Sequence, residues 1–310
     1  MKTLVTGASG FIGSNLTESL LINGYQVVAL DKEMVDYRIK NFKNHINCKM
    51  LLADVNNLEQ HLMSIVDIDS IYHLAAASDI NKSNKDHSWD LKENVMGTHS
   101  VLESMRKFDI PKLIFTSTSV VHGEDAPKPT PEEGVDFDPI SQYAASKISA
   151  EMFIRTYAHT YGLKAWIFRF ANVVGRHEHR GVIYDFMKKL SKNQKELEIL
   201  GDGKQVKSYF HVSDCVFALL AIPELSFSKN VNVFNIATYD TKAVTELADI
   251  VCDELGVSPK YKYTGGDRGW VGDVPIVKLD ITKALKTGWE PHLNCEESIR
   301  QTVRDLKKEI

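Results

Sequence analysis

Short apolar segments alternate with amphipathic stretches over the first two-thirds of the chain, and this alternation limits the possible folds most strongly. The segments are rich in β-branched residues and lie at 3–8, 25–31, 48–55, 70–76, 112–118 and 164–170. Short apolar runs of this kind are typical of strands buried on both faces. Helical patterns such as Ile12–Leu21 and Trp89–Phe108 lie between them. The sequence therefore predicts an α/β fold with a doubly wound parallel sheet.

The pattern becomes less regular after about Ala171. Helices are predicted at 181–190, 241–255 and 295–310, short strands at 197–200 and 231–237, and a loop rich in glycine and charge at 264–275. The sequence shows neither an internal repeat nor a flexible linker. We therefore expect one domain over 1–170, to which 205–237 returns, and a smaller C-terminal α/β substrate lobe over 171–310.

The first predicted strand ends in a glycine-rich turn, 6-TGASGFIGS-14, which places Gly7, Gly10 and Gly13 before an amphipathic helix. Glycines at this spacing let a pyrophosphate approach the backbone, and the N-terminus of the helix offers unpaired N–H groups. Asp31 ends the second strand, where an acidic residue binds the adenosine ribose and repels a 2′-phosphate. The pattern predicts a Rossmann dinucleotide-binding domain that prefers NAD to NADP, although the neighbouring Lys32 weakens that preference.

Charge and cysteine usage exclude several other classes of protein. The formal net charge is -4, which gives no electrostatic reason to expect nucleic acid or an acidic membrane as a partner. The four cysteines have no CxxC spacing, which favours a reduced, cytoplasmic protein without a zinc site. No apolar run is long enough to span a bilayer. The histidines of 176-RHEHR-180 lack a third ligand at a fixed spacing, so we expect no bound metal.

Tyr143 and Lys147 stand four apart in 142-QYAASK-147, so a helix would place both on one face. Free tyrosine is a poor base because its pKa is about 10. An adjacent ammonium, helped by the positive nicotinamide of NAD+, would stabilise the phenolate and lower that pKa. The phenolate could then take a proton from a hydroxyl while hydride leaves the same carbon. The small neighbours of Tyr143 would let a cofactor lie against the helix.

Together these segments resemble the extended short-chain dehydrogenase/reductases, and within them the nucleotide-sugar epimerases. The resemblance covers essentially the whole chain. It rests on TGASGFIGS, 53-ADV-55, 73-HLAAA-77, 94-NVMGT-98, 115-FTSTSVVHG-123, YAASK, 168-FRFANVVG-175, 201-GDGKQVKSYFHVSD-214 and 266-GDRGWVGDVP-275, which occur in family order. It implies NAD-dependent C4 epimerisation of a UDP-hexose such as UDP-glucose or UDP-galactose, through a transient 4-keto sugar.

The resemblance also implies roles for individual residues. The cofactor would be bound by Gly7, Gly10, Phe11, Ile12, Gly13, Asp31, Lys32, Asp54, Val55, Leu74, Ala75, Ala76, Thr116, Tyr143, Lys147 and Phe170. Thr118 would join Tyr143 and Lys147 as the third catalytic residue and bridge the sugar 4-hydroxyl to Tyr143. The substrate would contact Thr118, Asn172, Leu200, Lys207, Arg268 and Asp273. Arg268 and Asp273 would form the charged pair near the phosphates and the uridine ribose. Lys207 stands where an arginine is common, so bidentate phosphate binding would be lost there.

The residues after Thr118 argue against related reactions. Sugar dehydratases and UDP-glucuronate decarboxylases of this family carry carboxylates just after this position, whereas this chain has Ser119 and Val120. The open alternatives are a 4-epimerase for a UDP-N-acetylhexosamine or UDP-glucuronate, a nucleotide-sugar 4-ketoreductase, and an NAD(P)-sensing regulator. Retention of Tyr143 and Lys147 disfavours the regulator. The resemblance also implies a homodimer, which we expect to form through Trp89–Phe108 and Tyr143–Tyr161.

Overall fold

The computed structural model describes residues 1–65, 67–77, 83, 86 and 88–309. Its strands are β1 Lys2–Thr6, β2 Gln26–Asp31, β3 Cys48–Leu52, β4 Ser70–His73, β5 Lys112–Thr118, β6 Lys164–Phe170, β7 Asn172–Val174, β8 Glu196–Ile199, β9 Val206–Lys207, β10 Tyr209–His211, β11 Val231–Ile236, β12 Lys242–Ala243, β13 Lys260–Tyr263 and β14 Ile276–Val277. The α-helices are α1 Phe11–Ile22, α2 Asp36–Ile39, α3 Leu58–Leu62, α4 Gly97–Lys107, α5 Gln142–Tyr161, α6 Val182–Lys192, α7 Val212–Ala221, α8 Val244–Leu255, α9 Thr282–Leu285 and α10 Cys295–Leu306.

The chain divides into two compact units. The first unit comprises Met1–Val121, Gln142–Arg169 and Leu219–Phe234, and it is built on a seven-stranded parallel sheet of order β11-β6-β5-β4-β1-β2-β3. From β1, the strand order continues to β2 and β3 on one side and to β4, β5, β6 and β11 on the other. Neighbouring parallel strands need a crossover connection, which is usually a helix. The predicted doubly wound α/β fold is confirmed.

The first unit's core explains why its strands are continuous apolar runs. Side chains of α3, α4 and α5 pack with those of β1, β2, β4, β5, β6 and β11 in one cluster, with Leu4, Ile71, Leu113 and Ile167 fully buried. Helix α1 packs against β1 and β2. Because helices cover the sheet, its strands need apolar residues at successive positions.

The second unit comprises His122–Ser141, Phe170–Ala218 and Asn235–Ile310. Its strands form small sheets: β7 with β10, β8 with β13, and β9 between β12 and β14. Helices α6, α8 and α10 enclose a separate core that includes Phe186, Leu247 and Ile299. Asn294 caps α10 by accepting a hydrogen bond from the Glu297 N–H at 2.9 Å, and the Glu297 carboxylate accepts one from the Asn294 N–H.

The division of the chain departs from the predicted boundaries in two places. The segment that returns to the first unit is Leu219–Phe234, because only β11 joins the large sheet. The earlier part of the predicted segment, 205–218, contains β9 and β10, which pair with strands of the second unit. Residues 122–141 also belong to the second unit. In the described part of the chain, every helix is too short or too polar to cross a bilayer.

Candidate active site

The glycine-rich turn between β1 and α1 has a shape that side chains would obstruct. Gly7 has φ +71°, and a Cβ added to it would lie 2.7 Å from the backbone nitrogen of Ala75. A Cβ on Gly13 would overlap the carbonyl oxygen of Gly7. Gly10 is the N-cap of α1, and no described side chain caps this helix. The turn therefore leaves N–H groups available to an anion, as the glycine spacing predicts.

Asp31 lies at the end of β2, beside this turn. One carboxylate oxygen accepts a hydrogen bond from the Ser9 N–H at 2.9 Å. Burial raises the pKa of Asp31, although hydrogen bonds from Ser9, Glu33 and Lys32 backbone groups oppose that rise. The Lys32 ammonium lies 2.6 Å from a carboxylate oxygen of Glu93. Its charge is thus partly offset by a partner that the sequence does not indicate.

Thr6 connects the ends of β1 and β4 beneath the predicted dinucleotide site. Its hydroxyl lies 2.8 Å from His73 Nδ1 and accepts hydrogen bonds from the N–H groups of Leu74 and Ala75, each at 3.2 Å. Leu74, Ala75 and Ala76 are partly exposed, as a lining role requires. Burial lowers the pKa of His73 to about 3, so its ring is neutral and serves the hydrogen-bond chain.

The predicted adenine contacts lie after β3. The Asp54 carboxylate accepts hydrogen bonds from the backbone and side-chain nitrogens of Asn56, both at 2.9 Å, and caps the short 3-10 turn Val55–Asn57. Val55 is buried and lies against Gly97, where an added Cβ would come within 3.1 Å. The Asp54 side chain is therefore already engaged with its own turn.

The three predicted catalytic side chains converge between α5 and the end of β5. Tyr143 is hydrogen-bonded to the side chain of Thr118. Lys147 is buried, donates a hydrogen bond to the Thr116 carbonyl at 2.9 Å, and lies with its ammonium 4.7 Å from the Phe115 ring centroid. The four-residue spacing of Tyr143 and Lys147 thus places both side chains against the same strand.

The prediction that the Tyr143 pKa is lowered is wrong as far as the protein's own groups are concerned, because together they raise it. Burial raises the pKa of Tyr143 to about 12, the negative charge of Asp90 adds to the rise, and the hydrogen bond with Thr118 opposes it. Burial lowers the pKa of Lys147 to about 8, against the opposing effect of Glu151 and Asp90. Desolvation of the phenol has the largest effect on the Tyr143 pKa. The Lys147 ammonium is directed at the Thr116 carbonyl.

Asn94 is a site residue to which sequence reasoning assigned no role. It lies in the π-helical turn Leu91–Met96 that precedes α4. Its side chain donates a hydrogen bond to the Ser146 hydroxyl at 2.8 Å and accepts one from the Ala77 N–H at 2.7 Å. Asn94 thereby connects the end of β4 to the helix that carries Tyr143. A π-turn often marks a functional position, but it has no distinctive sequence pattern.

In the second unit, Lys207 and Asp273 form a buried ion pair. Their side chains are 9% and 4% exposed. The Lys207 ammonium also lies 5.0 Å from the Trp270 ring centroid. The other Asp273 oxygen accepts a hydrogen bond from the Gly269 N–H at 3.2 Å, which closes the loop that carries Trp270. Trp270 and the partnership of Lys207 with Asp273 were not predicted.

Arg268 pairs with Glu124 through two hydrogen bonds, of which Nη2 to Oε2 measures 2.9 Å. Arg268 and Asp273 thus have Glu124 and Lys207 as their hydrogen-bonded partners, while the charge of Asp273 also acts on Arg268. Their places near the phosphates and the uridine ribose stay predictions. Leu200 is exposed in the turn after β8.

The other two predicted residues of this unit lie around the start of β7. The Asn172 N–H donates a hydrogen bond to the Ser208 carbonyl at 3.1 Å, and its side chain is partly exposed. Phe170 is buried, with its ring centroid 5.8 Å from that of Phe210. The roles predicted for Asn172 in substrate binding and for Phe170 in cofactor binding stay predictions.

Known proteins share both the sequence and the fold of this chain. The NAD dependent epimerase/dehydratase family matches residues 3–237. A putative UDP-glucose 4-epimerase of Methanocaldococcus jannaschii is 33% identical over 312 residues, covering 98% of each chain. A crystal structure of UDP-galactose 4-epimerase is 34% identical, with a TM-score of 0.88 and full coverage of both chains. UDP-glucuronic acid 4-epimerase from Bacillus cereus, solved with UDP-glucuronic acid and NAD, is 26% identical, with a TM-score of 0.91 and full coverage of both.

Proposed function

The chain belongs to the NAD-dependent epimerase/dehydratase family and is an NAD-using isomerase of the UDP-sugar 4-epimerase type, and from this premise we propose that it interconverts UDP-glucose and UDP-galactose. Two of the three relatives described above act on, or are named for, this substrate pair. The third acts on UDP-glucuronic acid, so a uronic acid is the principal competing substrate.

The first unit fits NAD by its shape and by its charge. Gly7 and Gly13 leave room that a Cβ would fill, and the N-terminus of α1 offers N–H groups to a pyrophosphate. Asp31 would accept hydrogen bonds from the adenosine ribose and would repel a 2′-phosphate. The pairing of Lys32 with Glu93 supports preference for NAD over NADP, because it offsets the one adjacent cation that would favour a phosphate.

The proposed mechanism assigns proton transfer to Thr118 and Tyr143. NAD, when bound, would supply reversible oxidation and reduction at C4 of the sugar. Tyr143 would take the proton of the 4-hydroxyl through Thr118, and the Thr118 hydrogen bond favours the ionised phenol that this step needs. Lys147 would keep a positive charge behind Tyr143, since it is held by the Thr116 carbonyl.

The observation that carries the proposed reaction type, epimerisation and not elimination, is that no carboxylate follows Thr118 at the end of β5. Ser119 and Val120 begin the 3-10 turn Ser119–His122, Ser119 is buried, and the Val120 N–H lies 3.5 Å from the Thr118 hydroxyl. Elimination of water from the oxidised sugar would need an acid and a base there. Oxidation followed by reduction needs only the Thr118, Tyr143 and Lys147 side chains together with bound NAD, which would accept and return the hydride.

We also propose that Lys207, Asn172 and Arg268 contact the substrate diphosphate, with Leu200 and Asp273 beside the nucleoside. For Lys207 this requires the ammonium to serve both Asp273 and a phosphate, which its three N–H donors allow. A homodimer through Trp89–Phe108 and α5 is supported by exposed apolar side chains in both segments, including Met96, Phe153 and Tyr161. The free cysteines support a reducing, cytoplasmic location.

The test is conversion of purified UDP-sugars, followed by NMR without added cofactor. We expect UDP-galactose to reach an equilibrium mixture with UDP-glucose, because NAD would be regenerated in each cycle. Faster conversion of UDP-glucuronate or UDP-N-acetylglucosamine would move the assignment to that sugar. Stoichiometric consumption of NAD(P)H with a 4-keto sugar would indicate a reductase. Failure of all these substrates with added NAD+ would refute the proposed activity.

A further inference from the structure

A buried ion pair lies one helical turn beyond Lys147 on α5. Glu151 and Arg169 are both fully buried, and Arg169 is on β6. Glu151 Oε1 accepts hydrogen bonds from the Ser117 hydroxyl at 2.6 Å and from Arg169 Nε at 3.0 Å. Glu151 Oε2 accepts a hydrogen bond from Arg169 Nη2 at 2.7 Å. The proton-transfer steps proposed above use none of these three side chains.

Three polar contacts join neighbouring turns of α5 to the end of β5. Tyr143, Lys147 and Glu151 stand four apart on one face of the helix, and they bond to three consecutive residues of the strand. Tyr143 meets the Thr118 side chain, Lys147 donates to the Thr116 carbonyl, and Glu151 accepts from Ser117 between them. The Ser117–Glu151 bond therefore fixes the register in which the two catalytic side chains meet the strand.

The charge of Glu151 acts on Lys147 as well. Charged and titratable groups act on Lys147 or feel its charge from several elements: Glu151 from α5, Asp90 from the segment before α4, and His73 from β4. Burial lowers the pKa of Lys147, and Glu151 is the strongest of the groups that oppose this effect. His73 is neutral because its pKa is lowered to about 3, so it adds no competing cation.

We propose that Ser117, Glu151 and Arg169 are a positioning unit for catalysis: they set the register of α5 on β5 and hold the Glu151 carboxylate one helical turn from Lys147. Arg169 anchors this carboxylate from β6 through Nε and Nη2. Ser117 holds the same carboxylate from β5. The kinetic consequence rests on the proposed epimerase function, whereas the protonation of Lys147 can be measured without it.

Two substitutions separate register from charge. Ser117→Ala removes the strand contact and leaves the Glu151–Arg169 pair. The double variant Glu151→Gln, Arg169→Gln removes both charges, so neither charge is left buried without its partner. It also keeps a hydrogen-bond acceptor for Ser117. Ser104→Ala is the matched control, because the Ser104 hydroxyl is also fully buried in the first unit but finds no hydrogen-bond partner among the described residues.

The readouts are kcat and KM for the UDP-sugar and the titration of Lys147 by 13Cε NMR in lysine-labelled protein, assigned with Lys147→Met. We expect Ser117→Ala to lower kcat about tenfold with little change in KM, as loss of alignment at a proton-transfer site predicts. Ser117→Thr should restore it. The double variant should lower the pKa of Lys147 by about one pH unit and move the alkaline limb of kcat down equally.

The proposal is overturned if Ser117→Ala and the double variant fold, yet kcat stays within the range of Ser104→Ala and Lys147 titrates as in the unsubstituted protein. The unit would then contribute to stability only. If the double variant does not fold, Ser117→Ala and its rescue by Ser117→Thr decide the matter. If no UDP-sugar is converted by the unsubstituted protein, the proposed function fails, and the Lys147 titration alone decides whether Glu151 keeps this lysine cationic.

Discussion

In the first unit, the glycine turn and Lys147 of the candidate site depend on main-chain atoms, whereas in the second Lys207 and Arg268 are paired with charged side chains. Gly7 and Gly13 shape a backbone cradle, and Lys147 donates to the Thr116 carbonyl. In the second unit, Lys207 pairs with Asp273 and Arg268 pairs with Glu124. A main-chain partner is fixed by the fold itself, but a charge pair depends on two specific side chains. The two units should therefore fail differently when they are substituted.

Tyr143→Phe gives the largest expected effect, because it removes the phenol that finally accepts the proton of the sugar 4-hydroxyl in the proposed mechanism. Turnover should fall about a thousandfold, as loss of a general acid–base group predicts, with little change in stability. Steady-state kinetics with UDP-galactose measure this. Tyr157→Phe is the control, since its hydroxyl is on the same helix and donates to Glu103 at 2.6 Å. Equal activity of the two variants would refute the role of Tyr143.

Gly7→Ala tests the backbone cradle. The added Cβ would lie 2.7 Å from the Ala75 nitrogen, so NAD affinity should fall about a hundredfold. Because Gly7 has φ +71°, the substitution should also cost ~1 kcal/mol or more in stability. Gly24→Ala has a similar strain at φ +81°, but no described atom lies within 4 Å of the added Cβ. NAD titration of both variants by calorimetry separates strain from obstruction. Unchanged affinity in Gly7→Ala would contradict the cradle.

Asp273→Asn tests the second unit, because it leaves the Lys207 ammonium buried without its carboxylate. The free energy of unfolding should fall by about 3 kcal/mol, as for other broken buried pairs. Glu196→Gln breaks the exposed pair with Lys262 in the same unit, where the side chains are 43% and 62% exposed, and should cost less than about 1 kcal/mol. Urea unfolding compares them. Equal losses would show that burial does not distinguish the two pairs.

The same contrast explains how much could be predicted from the sequence. The cradle, Asp31 and the Tyr143–Lys147 face follow from local spacing on long, periodic elements, and the fold was confirmed. The partner of Lys207 is 66 positions away, on a loop without periodicity. Strand β9 has two residues, too few to show a pattern. The Tyr143 pKa was misjudged because burial depends on packing that residue spacing alone does not reveal.

The smallest expected effect comes from Glu178, a buried carboxyl that has no ion-pair partner among the described residues. Glu178 is 6% exposed, and its Oε2 has no hydrogen-bond partner among the described residues. Burial raises the pKa of Glu178 in the folded protein well above its ordinary value. The protonated carboxyl therefore stabilises the native state fully at pH values below the unfolded-state pKa. This stabilisation is lost as pH rises through the folded-state pKa. Glu178→Gln cannot ionise and should gain on the order of 1 kcal/mol between pH 4 and pH 8 relative to the unsubstituted protein.

Thermal or urea unfolding at several pH values measures this gain. Glu33→Gln, which changes an exposed carboxylate, should leave the pH dependence of stability unaltered. A Glu178→Gln variant whose stability follows the pH curve of the unsubstituted protein would show that Glu178 is already paired or solvated.

Oxidation of the sugar at C4 and its reduction should take place in the same active site. This can be tested by conversion of UDP-galactose deuterated at C4, with NMR detection of the product and NAD well below the substrate concentration. We expect many turnovers per NAD and UDP-glucose that retains deuterium at C4. Replacement of the label by solvent hydrogen, or conversion limited to one turnover per NAD, would contradict this expectation.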